Sequence, residues 1–169
     1  LLAFGFSIEG IPKLLPPESI ACPPIQITDH TTGSSSIIEH VPYSKSHKTL
    51  GVMLSPTLDS KGEFNRLQTK INKIVKLLLP ARLSPSETWT YMFSTLRPSL
   101  AWSSPVVNLS KQQWRKLMSP LLPILLNNLG YPRTFPRAVV FGPLSLGGLG
   151  FIDFHTEQGF ARITNLLFS

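Results

Sequence analysis

Proline is distributed unevenly along this chain and divides it into two parts. Five prolines crowd into the first 24 residues, at Pro12, Pro16, Pro17, Pro23 and Pro24. Because proline lacks a backbone N–H and fixes φ, such a segment favours loops and short strands over long helices. Beyond residue 58 the apolar residues recur at helical spacing. We therefore predict a mostly helical α+β chain that divides into residues 1–58 and residues 59–169.

The first part contains candidates for short strands. Residues 25–29 alternate apolar and polar side chains, as a half-buried strand does, and residues 36–41 can form the returning strand. Gly33 gives the intervening turn freedom at positive φ. Residues 48–55 are a further extended candidate. We expect an N-terminal β-hairpin with proline-rich loops.

Three to four helices are predicted for the second part, as a bundle. Leu67, Ile71, Ile74 and Leu78 fall on one side of a helix over residues 60–79, which Pro80 should end. The next helix has the signature of a capping box at Ser84 and Glu87, with Pro85 at its first position, and Pro98 should disturb it.

A third helix is expected from Ser110 to Gly130, and Pro120 and Pro123 should kink or split it. Residues 134–142 fit a short helix or a strand equally well. A last helix should begin near His155.

Basic residues dominate the charge, which is formally +7. Between Glu63 and Asp153 the single acid is Glu87, whereas eleven bases occur: Arg66, Lys70, Lys73, Lys76, Arg82, Arg97, Lys111, Arg115, Lys116, Arg133 and Arg137. Such an excess favours a polyanionic partner, which can be nucleic acid or an anionic membrane surface.

The first predicted helix concentrates this charge. Arg66, Lys70 and Lys73 share a narrow face, with Lys76 one step beyond, well away from the apolar stripe. One side can pack while the other follows phosphates, which require charge more than base-specific geometry. The alternative interpretation is an ordinary solvated face.

Catalytic patterns are missing from the sequence. A two-metal polymerase or nuclease needs paired carboxylates, but the nine acids include no DD, DxD or ExxD pair. The histidines lack HExxH spacing, no serine lies in a GxSxG elbow, and the glycine-rich stretch at 142–150 lacks the GK[ST] ending of a phosphate loop. Cys22, the single cysteine, excludes an internal disulfide. We predict no catalytic residue and no metal site in this chain.

Aromatic residues could stack on bases. At helical spacing we expect such residues in the core instead: Trp89, Tyr91, Phe93, Trp102 and Trp114.

Two segments carry a family resemblance. KTLGV, at residues 48–52, resembles the primer-grip motif of the reverse transcriptases of non-LTR retroelements, and residues 136–163, with their GGLG, resemble the end of the thumb region of those enzymes. The resemblance implies that Lys48, Leu50 and Gly51 contact the primer. It also implies that Arg66, Lys70 and Lys73 lie on a thumb helix along the template–primer duplex, and that Gly147, Gly148 and Gly150 form a structural turn.

By this resemblance the chain is a fragment, without the catalytic aspartates, of a longer RNA-directed DNA polymerase that uses Mg²⁺. The implied partners are an RNA template, an RNA–DNA hybrid and the remainder of the palm, with no membrane. The expected location is intracellular, in the nucleus or the cytoplasm, and not secreted. The alternatives are a stand-alone basic nucleic-acid-binding helical module and a degenerate, non-functional remnant. An in-frame Tyr/Phe-x-Asp-Asp box upstream would favour the polymerase.

Overall fold

A computed structural model describes residues 4–6, 12–14, 25–28, 31, 33–38 and 45–168. Short antiparallel strands precede a helical body, which confirms the mostly helical α+β class. The strands are β1 (Phe4–Phe6), β2 (Pro12–Leu14), β3 (Ile25–Thr28), β4 (Ser35–Ile38), β5 (His47–Thr49) and β6 (Val52–Leu54). The helices are α1 (Lys61–Ala81), α2 (Pro85–Tyr91), α3 (Arg97–Ala101), α4 (Lys111–Met118), α5 (Leu122–Asn128), α6 (Arg137–Val140) and α7 (Phe154–Phe168).

The strands form two-stranded antiparallel pairs. β3 pairs with β4 as predicted, with Ile25 opposite Ile38, and Gly33 has a φ of 67°. The expectation that this hairpin is half-buried is wrong for its described side chains, because Ile27 and Ile37 are both exposed. A separate pair joins β1 to β2. The ends of the predicted hairpin, at residues 29 and 39–41, and the proline-rich residues 15–24 lie outside the described residues.

Residues 48–55 do not form one extended segment. They belong to a hairpin in which β5 pairs with β6 and Thr49 lies opposite Val52. The chain reverses at Leu50 and Gly51, whose φ angles are 49° and 85°. Two consecutive positive φ values are typical of the tight turns that join adjacent antiparallel strands, and this is why the extended prediction was wrong. Val52 is buried and joins the hairpin to the helical core.

Helix α1 is longer than its pattern indicated. It continues through Pro80 to Ala81 and ends where Arg82 adopts a left-handed φ of 43°. Pro80 did not end the helix because it lies in the last turn, where its missing N–H removes a single backbone hydrogen bond. Leu67, Ile71 and Leu78 are buried as the stripe predicted.

The capping box of α2 is confirmed. The Ser84 side chain accepts a hydrogen bond from the Glu87 backbone N–H, and the Glu87 carboxylate accepts one from the Ser84 backbone N–H at 2.8 Å. The Ser84 hydroxyl also donates to the Glu87 carboxylate at 2.7 Å, and this bond, followed by the one from the Ser84 backbone N–H, lowers the pKa of Glu87. The helical path then widens into a π-helical turn over Met92–Leu96 and returns to α-helix as α3. This change directly precedes Pro98, where a disturbance was expected.

Two prolines split the next helical segment as predicted. α4 ends at Met118, α5 begins at Leu122, and a turn containing Pro120 separates them. Gly130 follows with a φ of 82°. Because of this split, of the π-helical turn between α2 and α3 and of the short α6, the described helices outnumber the three to four expected. α6 resolves residues 134–142 as a short helix, and α7 begins at Phe154, one residue before the predicted start.

The core lies between α1, the α2–α3 run, α4, α5 and the start of α7. Leu67, Leu100, Leu121, Leu125 and Leu126 are completely buried. Each buried side chain of this size contributes roughly 1.5–3 kcal/mol relative to leaving it exposed. The helical body therefore depends mainly on apolar packing.

Gln158 is a polar residue inside this core. Its Oε1 accepts hydrogen bonds from the Leu109 backbone N–H at 3.2 Å and from Trp114 Nε1 at 3.0 Å, while its Nε2 donates to the Leu109 carbonyl at 3.1 Å. All three bonds are buried, so each satisfies a group that water cannot reach. They fix α7 to α4 and to the loop before it.

The outer face of α7 is apolar and exposed. Phe160, Ile163 and Leu167 recur at helical spacing on the side opposite to the buried Phe154 and Gln158. Of the helices in the described residues, none has the length and apolarity needed to cross a bilayer.

Glycines shape the turn between α6 and α7. Gly147 and Gly150 have φ values of 78° and 64°. The Gly148 N–H donates to the Pro143 carbonyl at 3.0 Å, and the Gly150 N–H donates to the Gly142 carbonyl at 2.8 Å. A Cβ atom at Gly148 would collide with the backbone carbonyl group of Gly142. This close approach of two backbone segments requires a residue without a side chain.

Gly148→Ala is expected to destabilise the chain by about 1–3 kcal/mol, because the added methyl overlaps backbone that cannot rotate away. Gly159→Ala is the matched control, since a Cβ there meets nothing within 4 Å and Gly159 lies inside α7. That control should stabilise by about 0.5–1 kcal/mol, the usual gain from replacing a helical glycine. Urea unfolding followed by circular dichroism measures both. Equal changes in the free energy of unfolding for the two variants would show that the close backbone approach at Gly148 does not require glycine.

Candidate nucleic-acid interface

The tip of the β5–β6 hairpin lies against Trp102, just beyond the end of α3. The Leu50 carbonyl accepts a hydrogen bond from Trp102 Nε1 at 3.1 Å. A Cβ on Gly51 would lie 3.8 Å from the same nitrogen, so the turn backbone passes close to the indole. The Trp102 side chain is nevertheless 66% exposed. The hydrogen bond therefore orients an indole that remains open to solvent.

Glu63 joins the same hairpin to α1. Its side chain is fully buried, and its Oε2 accepts a hydrogen bond from the Met53 backbone N–H at 2.8 Å. The carboxylate also makes a bidentate ion pair with Arg66, in which Arg66 Nε lies 2.7 Å from Oε2 and Nη2 bonds Oε1. A buried charge needs partners of this kind, and here one carboxylate receives three hydrogen bonds.

Arg66 and Lys70 are both engaged within the protein. The hydrogen bond and the charge of Glu63 raise the pKa of the Arg66 guanidinium, against the opposing effect of burial. Lys70 Nζ donates to the Ser99 carbonyl at 2.8 Å. Partial burial, followed by the positive charge of Arg66, lowers the pKa of Lys70. Since a carbonyl carries no net charge, Lys70 keeps a positive charge that no carboxylate neutralises directly.

These groups line an open cleft of about 480 Å³ between the hairpin tip, α1 and α3. Its lining consists of Gly51, Arg66, Lys70, Ser94, Thr95, Pro98, Ser99 and Trp102. Arg66 and Glu63 cancel, so the cleft has a net charge of about +1 from Lys70. Hydroxyl groups and an exposed indole surround that charge. The arrangement suits one phosphate next to one stacked ring.

The six residues expected to bind nucleic acid divide between the cleft and its surroundings. Gly51, Arg66 and Lys70 line the cleft. Leu50 contributes its carbonyl to the Trp102 contact, and its side chain points into solvent. Lys48 is exposed on β5, opposite Met53. Lys73 is exposed on α1, where it makes no ion pair with another described residue.

The ion pair with Glu63 limits how far Arg66 can contact a phosphate. The sequence places it with Lys70 and Lys73 on a basic stripe, but its guanidinium is held by Glu63, one turn earlier. Arg66 therefore acts first as the partner of a buried carboxylate. The turn glycines Gly147, Gly148 and Gly150 lie in the α6–α7 turn and not in the cleft lining.

Trp102 is part of the cleft surface, although the sequence favoured a place in the core over base stacking. The expectation that the aromatic residues are core is confirmed for Trp114, which is buried, and Trp89 and Tyr91 pack partly against the core. It is wrong for Trp102 and Phe93, which are exposed. Trp102 keeps helical φ and ψ at the end of α3, but it lies two residues after the buried Leu100 and therefore on the opposite side of the helix. The hydroxyl residues shortly before it in the sequence, Ser94, Thr95 and Ser99, line the same cleft and could have indicated that this segment lies at a polar surface.

Among the described residues no three His, Cys, Asp or Glu side chains gather as ligands for a metal ion. Comparisons of the chain with family models, with curated proteins and with solved structures gave no match. The resemblance to reverse transcriptases therefore rests on residues 48–52 and 136–163 and stays a hypothesis.

Glu63→Ala is expected to destabilise the chain by about 2–4 kcal/mol. The change leaves the Met53 N–H without its acceptor and Arg66 without its counter-charge, and both groups are partly buried. Glu63→Gln should cost less, because the amide oxygen can still accept from Met53. Guanidinium unfolding curves give both free energies.

The control for this prediction is Asp59→Ala, which removes the carboxylate from an exposed pair with Lys61 at 3.7 Å. Exposed pairs contribute about 0–1 kcal/mol, so that variant should unfold near the wild-type midpoint. If Glu63→Ala unfolded at the same guanidinium concentration as Asp59→Ala, the Glu63 carboxylate would not hold the hairpin to α1.

Proposed function

We propose that this chain is the primer-grip and thumb part of an RNA-directed DNA polymerase of the non-LTR retroelement type. Its role is to hold an RNA–DNA hybrid and not to catalyse nucleotide addition. The observation that carries the proposal is the contact of the hairpin tip with Trp102 next to Lys70. It brings the primer-grip-like segment and the basic thumb-like helix to the same cleft.

The cleft supports a contact at one nucleotide. The exposed indole of Trp102 offers a face on which a base can stack, and such stacking contributes about 1–3 kcal/mol per base. Lys70 supplies positive charge next to it for a phosphate. Arg66 is paired with Glu63, so it is not the principal phosphate ligand.

Further along α1, Lys73 and Lys76 extend the positive surface. Both side chains are exposed, and neither pairs with a carboxylate among the described residues. They can follow the backbone of a duplex without reading its sequence. Lys48 lies on β5 and can add a contact on the hairpin side.

The parent polymerase would supply what this chain does not. Its Mg²⁺ ions belong to carboxylates outside this chain, and no step of the chemistry is assigned to residues here. The remainder of the palm is the proposed protein partner, and the exposed apolar face of α7 supports such a contact. The proposed setting is intracellular, in the nucleus or the cytoplasm, where an RNA template occurs.

The lysines on α1 give the first test. Binding of a fluorescein-labelled RNA–DNA hybrid should weaken steeply with salt; for a B-form duplex the slope in the logarithmic plot is about 0.9 per phosphate neutralised. Lys73→Ala with Lys76→Ala should reduce that slope by about two units, because each lysine accounts for about one phosphate contact. Fluorescence anisotropy between 50 and 200 mM salt, roughly the range in which such contacts weaken, measures it.

The matched control is Lys61→Ala, which removes one exposed cation from the same helix. Lys61 already faces Asp59 at 3.7 Å, so its loss should change the slope less. Binding that does not depend on salt, or no binding of the hybrid at all, would overturn the proposed function.

Trp102 gives the second test. Trp102→Ala should weaken hybrid binding by about five- to 150-fold, the range expected for one lost stacking contact. Trp102→Phe loses the indole N–H that bonds the Leu50 carbonyl. Because it keeps an aromatic ring for stacking, it should retain most of the affinity for the hybrid.

Phe93→Ala is the control for this second test, since Phe93 is also an exposed aromatic but lies outside the cleft lining. It should bind the hybrid like the wild type. An unchanged affinity in Trp102→Ala would exclude stacking at the cleft.

A further inference from the structure

A second concavity lies between α4, α5, α6 and the start of α7, and we name it the basic bowl. Its volume is about 560 Å³, within the usual size of ligand sites. Lys111, Arg115 and Arg137 form its rim. The accessible part of its floor includes Met118 and Ile152. An apolar floor inside a cationic rim distinguishes this surface from the hairpin cleft.

The rim cations have no counter-charge in the described part of the chain. Lys111, Arg115 and Arg137 are all exposed, and none of the three ion pairs found among the described residues includes them. Arg137 makes a long hydrogen bond, 3.4 Å, to the neutral Arg133 carbonyl. The rim thus offers three positive charges to an anionic partner.

Asp153 is the carboxylate at the edge of the basic bowl, and it is engaged by α7. Its Oδ1 accepts from the His155 backbone N–H at 3.2 Å, and its Oδ2 accepts from Thr156 Oγ1 at 3.0 Å. These bonds hold the carboxylate at the first turn of the helix, where it also interacts favourably with the helix dipole. The basic bowl keeps a net charge of about +2 even when Asp153 is included.

The floor does not suit a nucleobase. Trp114 and Phe154 are each 3% exposed and stack on one another at a centroid distance of 5.4 Å. Trp114 Nε1 is already bonded to Gln158. A base placed here would find neither an open indole face nor that N–H for its polar edge. An alkyl or phenyl side chain has no such requirement.

We propose that the basic bowl binds an acidic peptide segment of a partner protein, in which one large apolar side chain is flanked by Asp or Glu residues. The apolar side chain enters the floor, against Met118, Phe141 and Ile152. The flanking carboxylates pair with Lys111, Arg115 and Arg137. Apolar burial supplies affinity at the centre, while the charges select an acidic sequence.

A set of labelled ten-residue peptides tests the proposal with the full chain. Each peptide has a central Leu or Phe flanked by zero to four Asp or Glu residues, with Ser elsewhere. Peptides with three carboxylates should bind about tenfold more tightly than the Ser-flanked ones, since three exposed ion pairs together contribute about that factor. Fluorescence anisotropy gives the dissociation constants.

Two variants locate the binding. Arg115→Gln with Arg137→Gln should abolish the preference for acidic peptides. Ala138→Trp should block all of them, because Ala138 lines the basic bowl and is exposed enough to accept a larger side chain without disturbing the core. Lys73→Gln with Lys76→Gln removes the same charge from α1 and should leave peptide binding unchanged.

The same variants separate this proposal from hybrid binding. Arg115→Gln with Arg137→Gln should bind the RNA–DNA hybrid within about twofold of the wild type, as expected for cations outside the duplex contact. A large loss of hybrid binding in that variant would assign the basic bowl to nucleic acid and overturn the proposal. The proposal also fails if no peptide binds, or if Ser-flanked peptides bind as well as acidic ones.

Discussion

The position of the hairpin relative to the helical body depends on one buried carboxylate. Glu63 accepts a hydrogen bond from the backbone of Met53 on β6 and forms a bidentate ion pair with Arg66. The bond from Met53 links the edge of a two-stranded hairpin to the first turn of α1. A two-stranded hairpin is marginally stable in water, so its attachment to a helix matters to its own folding. The turn at Leu50 and Gly51 reaches Trp102 because β6 is held in this way.

The same carboxylate limits how the basic composition can be interpreted. Eleven bases face one acid between Glu63 and Asp153, which suggests a continuous cationic surface. In the structure, Glu63 itself neutralises Arg66, and Lys70 is hydrogen-bonded to the Ser99 carbonyl. The exposed cations on α1 that have no carboxylate partner among the described residues lie one to two turns beyond Lys70, at Lys73 and Lys76. Net charge predicts a polyanionic partner, while contacts determine which residues can meet it.

Local patterns predicted the helices well because their causes are local. The Ser84–Glu87 capping box and the break at Pro120 and Pro123 involve residues within four positions of one another, and the structure confirms both. The Arg66–Glu63 pair is also local, at a spacing of three residues, and could have been predicted from the sequence.

Contacts between distant residues could not be predicted from periodicity. Lys70 meets Ser99 across 29 residues, and Trp102 meets Leu50 across 52. Periodicity assigns a residue to a face of its own helix but does not say which element covers that face. The candidate cleft consists mainly of such distant contacts, which is why Lys70 was predicted as part of it and Trp102 was not. Charge patterning predicted a surface along Arg66, Lys70 and Lys73, and the exposed indole adds an aromatic face in the cleft that Arg66 and Lys70 line.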